Sequence, residues 1–124
     1  MRSALIFIIL LGMLVTSCNR RDAKLREKIV GTWPTPPSGT LTFLSDGSFH
    51  FRNEYVTTNA TLKWVSDGVW DVKDGFLIST ITNSVAENTT EKPTVGHVMH
   101  AKINFVDEHN LSYGTEKDGH SYHR

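Results

Sequence analysis

From Gly39 onward, apolar residues recur at every second position and are interrupted by Asp-Gly pairs, the pattern of short strands joined by tight turns. The stretch GTLTFLSDGSFHFRNEYVT places Leu41 and Phe43 on one face, turns at Ser45-Asp46-Gly47, and returns with Phe49, Phe51 and Tyr55 on one face. A third strand from Thr61 to Val65 presents Leu62 and Trp64 together, and Asp67-Gly68 turns or bulges the chain into Val69–Val72. Lys73-Asp74-Gly75 is a hairpin signal, because a two-residue turn needs residues that accept positive φ, and it leads into the β-branched run FLISTITN. Residues 84–94 are polar and contain Pro93, which predicts a loop or flap. VGHVMHAKINFV alternates again, with Val95, His97, Met99, Ala101, Ile103 and Phe105 on one face. Turns at Asp107–Asn110 and Lys117–Gly119 then separate two final strands, Leu111–Thr115 and His120–Arg124. About eight short strands at this spacing predict an all-β, antiparallel up-and-down meander that hides its edges by closing into a small barrel.

The first part of the chain follows different rules. Residues 22–29 (DAKLREKI) predict a short helical turn with Asp22 as its cap and Leu25 and Ile29 on one side. Ahead of it, Met1 and Arg2 precede an apolar run from Ala4 to Val15, which small residues close. A membrane-spanning helix needs roughly 20 apolar residues, so this shorter run reads as a cleaved export signal. The expected organisation is a signal at 1–17, a polar tether at 18–24 that begins with Cys18, and one domain at 25–124.

Composition removes several classes of function. Thirteen basic residues balance thirteen acidic ones, and loss of Arg2 with the signal leaves the basic count one lower. No electrostatic footprint for nucleic acid is present. Cys18 is the sole cysteine, so no internal disulfide braces the domain. The sequons at Asn59, Asn88 and Asn110 would matter only in a eukaryotic secretory route.

Val15-Thr16-Ser17-Cys18 resembles the lipobox of bacterial lipoproteins. That resemblance implies lipidation of Cys18 as the new first residue and a membrane anchor in the bacterial envelope. Asn19 after the cysteine is similar to the pattern that enteric-type sorting sends to the outer membrane. A second resemblance lies in Gly31-Thr32-Trp33, TFLSDGSF, DGVWDV and the terminal DGHSYHR, which together look like lipocalin-type barrels and their lipoprotein relatives. It implies that Trp33 plugs the closed end and that Arg124 covers it. The chain is shorter than full lipocalins and lacks their disulfide and C-terminal helix.

For binding chemistry the candidates are the inward aromatics Phe49, Tyr55 and Trp64 together with His97 and Met99. The aromatics either line a pocket for a small apolar ligand or supply the core of a small domain. His97, on the apolar face beside Met99, is expected to be buried against a backbone carbonyl or to touch a ligand. Trp70 is out of phase with Val69 and either turns inward or stands exposed as a partner contact. The pairs His97/His100 and His120/His123 are three apart, which in strands puts the partners on opposite faces, so neither metal nor another cofactor is expected. No nucleophile elbow or phosphate-cradling glycine pattern occurs, and no enzyme is expected. Two functions remain: an anchored binder of a small apolar or amphipathic molecule, or a packed scaffold that meets a protein partner.

Overall fold

The computed structural model describes residues 20–89, 92–115 and 117–124. A helix, α1 (residues 20–29), is followed by eight strands: β1 Gly31–Thr35, β2 Gly39–Phe43, β3 Ser48–Val56, β4 Thr61–Lys73, β5 Phe76–Glu87, β6 Val98–Val106, β7 Asn110–Gly114 and β8 Gly119–His123. Each strand pairs antiparallel with the next in one sheet of sequential order. This is the expected all-β up-and-down meander, and it curls into a nearly closed barrel in which β1 comes to lie beside β8.

The Asp-Gly signals at Asp46-Gly47 and Asp74-Gly75 mark real turns. Lys73 pairs directly with Phe76 across Asp74 (φ 54°) and Gly75 (φ 79°), so both central residues hold the positive φ of a type I′ hairpin. At the β2–β3 turn Gly47 has φ 92°, and the Asp46 carboxylate accepts hydrogen bonds from the Ser48 N–H (2.8 Å) and hydroxyl (2.6 Å). Between β6 and β7, Asp107 accepts from the N–H groups of His109 (2.8 Å) and Asn110 (2.7 Å). These bonds favour the ionised form, so both carboxyls sit below the ordinary 3.8. A lowered folded-state pKa adds stability above the unfolded value that fades as pH falls through the folded one. An NMR titration is therefore expected to place both midpoints below 3.8, with Asp46 and Asp107 still ionised when ordinary aspartates have begun to protonate.

Two β-bulges decide which side chains face inward. Asp67-Gly68 does not break the chain, because β4 runs through it as one thirteen-residue strand. The extra residue belongs to β5: the register passes from Asp67↔Asn83 to Gly68↔Ile81 and leaves Thr82 over. Alternation on β4 is thus uninterrupted, and Trp70 faces inward with Ser66 and Val72. Trp70 is 3% exposed, meets Phe43 edge-on at 4.9 Å, and donates from Nε1 to the Leu44 carbonyl (3.0 Å). It is core, and the partner contact expected of it is corrected. The second bulge, between Ile103 and Phe105 on β6, turns Val106 into the core and leaves Phe105 55% exposed, against the alternation read from sequence. The loop expected at 84–94 begins later, because β5 stays paired with β4 as far as Glu87.

The N-terminal helix seals one end. It already includes residues 20–24, expected as tether, and Asp22 lies within it rather than capping it. The Asp22 carboxylate instead accepts from the N–H groups of Asp74 (2.8 Å) and Gly75 (3.0 Å) in the β4–β5 turn. Arg26 donates to the Ser45 carbonyl (3.1 Å) and to Asp71 (3.3 Å), and its guanidinium lies 4.7 Å from the Trp70 ring. Ile29 is fully buried, and Leu25 packs against the core. The helix is thereby fastened over the end of the barrel where the β2–β3 and β4–β5 turns lie.

Candidate functional site: an internal cavity opposite a sealed end

Trp33 and Arg124 form the seal. Trp33 is fully buried, donates from Nε1 to the Ile29 carbonyl (2.8 Å), and carries the Arg124 guanidinium 3.8 Å above its ring. The same guanidinium donates to the carbonyls of Glu108 (2.8 Å), Val30 (3.1 Å) and Lys28 (3.2 Å), tying the last residue to the chain before β1 and to the β6–β7 turn. Gly31 is required here: its φ is +127°, and a Cβ would collide with Arg124 Nη1. Five donors in a rigid fork suit this multi-carbonyl contact, and lysine would not reproduce it.

The opposite end, where β3–β4, β5–β6 and β7–β8 connect, opens into the barrel. A cavity of about 720 Å³ runs from the core to the surface, with Phe49, Phe51, Met99 and Tyr113 in its wall. His97, Lys117, Asp118 and His120 stand at its rim. Two features make the wall amphipathic. Tyr113 and Tyr122 pair their hydroxyls at 3.2 Å, and burial, reinforced by Tyr122, pushes the Tyr113 phenol well above its usual 10. Ser66 is 2% exposed, lines the cavity, and its hydroxyl has no hydrogen-bond partner. Ser84, its cross-strand neighbour on β5, is likewise buried with an unpartnered hydroxyl. Such a group costs about 1–3 kcal/mol when nothing satisfies it.

Of the residues expected to bind ligand, Phe49, His97 and Met99 reach this cavity. His97 does so from the rim: it is exposed and lies ahead of β6, so the buried position expected for it is corrected. Its backbone is engaged, the carbonyl accepting from the Ile81 N–H (3.1 Å) and the N–H donating to the Thr94 carbonyl (3.1 Å). Tyr55 and Trp64 stack on each other at 5.9 Å where β3 and β4 run on past the cavity wall. They do not line it. Sequence reasoning missed Ser66 and the two tyrosines. A serine in phase with Trp64 and Trp70 was the available signal, and it becomes readable only when β4 is taken as one strand.

Cys18 lies outside the described residues. Among the described residues no group of three or more His, Cys, Asp or Glu could hold a metal ion, and no helix is long and apolar enough to cross a membrane. Fold and cavity together define an eight-stranded up-and-down barrel with one plugged end and one open end. The chain matches no protein-family model, no curated protein and no solved structure.

Proposed function

We propose that this is a lipocalin-like lipoprotein of the bacterial envelope, anchored through Cys18, whose barrel holds a small amphipathic molecule without transforming it. The observation that carries the binding reading is the buried, unpartnered Ser66 hydroxyl in the wall of an aromatic cavity. A purely hydrocarbon ligand would leave that hydroxyl unsatisfied, whereas one with a hydroxyl, carbonyl or ether group at that depth would satisfy it while burying its apolar part against Phe49, Phe51 and Met99. The volume suits one small ligand, which is what an eight-stranded barrel can enclose. The anchor rests on the lipobox resemblance. A scaffold would meet its partner through exposed loops or Trp70, and the burial of Trp70 leaves only the loops for that reading.

Native mass spectrometry of the protein isolated from its own envelope, before and after organic extraction, tests the binding. An extra mass lost on extraction is expected, and Ser66→Ala is expected to raise the dissociation constant for the extracted molecule about tenfold on titration back into the emptied protein, the equivalent of one lost hydrogen bond to a buried group. A single unladen mass from envelope-purified protein would sink the proposal, and a dissociation constant unaffected by Ser66→Ala would exclude the amphipathic class.

A further inference from the structure

The barrel has a direction, and α1 sets it. The helix is held at the sealed end by the bonds from Asp22 to the β4–β5 turn and from Arg26 to Ser45, while the cavity opens at the other end. Arg20, in its first turn, is only two residues from Cys18, a span of about 7 Å even when fully extended. The cavity rim lies farther away: His120 at the rim is four residues along β8 from Arg124 in the seal, about 13 Å at ~3.3 Å per residue.

The helix surface has two unlike faces. Asp22, Leu25, Arg26 and Ile29 turn toward the barrel. Arg20, Arg21, Lys24 and Lys28 are exposed at spacings of three and four residues, so they form one stripe, accompanied by a single exposed carboxylate, Glu27. The turns beneath carry acids of their own: Asp46 and Asp107 are bonded to their own turn backbones and Asp71 to Arg26, while Asp74 and Glu108 are exposed in the β4–β5 and β6–β7 turns, off the helix. The basic character therefore belongs to the outward stripe and not to the whole end.

We propose that the outward face of α1, led by Arg20, Arg21, Lys24 and Lys28, lies on the anionic headgroups of the membrane, so that the sealed end faces the bilayer and the cavity opens away from it. The inference rests on the anchor at Cys18. It adds that the cavity exchanges its ligand with the aqueous compartment and not with the membrane that holds the protein. Juxtamembrane cations are attracted by anionic lipid within about a Debye length, the range at which so short a link holds the helix.

The test uses the full acylated protein, in which the native thiol is consumed and an introduced cysteine can be labelled alone. A fluorophore is placed at Ala23 on the helix or at Thr58 in the β3–β4 connection, in vesicles of phosphatidylcholine mixed with phosphatidylglycerol and carrying a quencher on the lipid headgroup. Quenching is expected to be several-fold stronger at Ala23 than at Thr58. It is expected to fall several-fold when Arg20→Glu, Arg21→Glu, Lys24→Glu and Lys28→Glu are combined, with the circular dichroism spectrum unchanged. Equal quenching at the two positions, or no response to charge reversal, overturns the orientation. A Cys18 without acyl mass defeats the anchor reading and the orientation with it, whereas an acylated Cys18 with quenching at Thr58 as strong as at Ala23 defeats the orientation alone.

Discussion

Replacing Trp33 by alanine is expected to lower the unfolding free energy by about 3–5 kcal/mol, the range for deleting a fully buried large aromatic side chain. Three losses coincide at this one position. The indole fills the space between α1 and the β-barrel, and nothing collapses readily into it because Ile29 and Leu41 belong to separate backbone elements. Its Nε1–H is the partner of the Ile29 carbonyl, which is left unbonded in a buried place. The ring also supports the Arg124 guanidinium at 3.8 Å, a contact worth about 0.5–2 kcal/mol. Small domains are stable by only about 5–15 kcal/mol, so the variant forfeits a large fraction of the total. Urea unfolding followed by far-UV circular dichroism measures it. Trp33→Phe, which keeps a ring beneath Arg124 but loses the donor, is expected to fall between wild type and alanine. A cost below about 1 kcal/mol for Trp33→Ala would mean that the seal does not hold the barrel together.

Gly68→Ala is the smallest substitution with a comparably large expected effect, about 3 kcal/mol, at the upper end of what overpacking a core costs. A Cβ at Gly68 would run into the Thr80 carbonyl oxygen and the Phe49 ring at once. Phe49 could turn, but Thr80 is backbone inside the β4–β5 ladder, paired with Val69 next to the bulge. Relief therefore requires opening the ladder, not moving one side chain. Because Phe49 also lines the cavity, the same substitution is expected to weaken ligand retention in the native mass measurement. Gly119→Ala is the control: nothing lies within 4 Å of its added carbon, and a change within about 0.5 kcal/mol is expected. If the two glycine variants unfold at the same urea concentration, the packing at the bulge has been misread.

The bulge at Gly68 also explains why Trp70 was ambiguous in the sequence. Alternation along β4 is regular from Leu62 to Val72, yet Asp67-Gly68 carries the composition of a turn. What straightens the strand is its neighbour, which takes up the extra residue, Thr82, in a polar stretch with no local mark of a bulge. Phe105 failed for the same reason. Ile103, Phe105 and Val106 are all apolar, and only the pairing of Phe105 with Ser112 settles that valine turns inward and phenylalanine outward.

The residues alone determined the fold class and most of the strand succession, because two-residue alternation and the positive φ of turn glycines are local properties. They also singled out Trp33 and Arg124 through motifs that resemble a known barrel type. The tertiary structure decided the rest. Whether Arg124 could reach its carbonyl at Val30, 94 residues earlier, depends on how eight strands curl. Whether Ser66 meets a cavity or a partner depends on what stands across the barrel from it. Phase within a strand is written in its own sequence until a bulge intervenes, and a bulge is a relation between two strands.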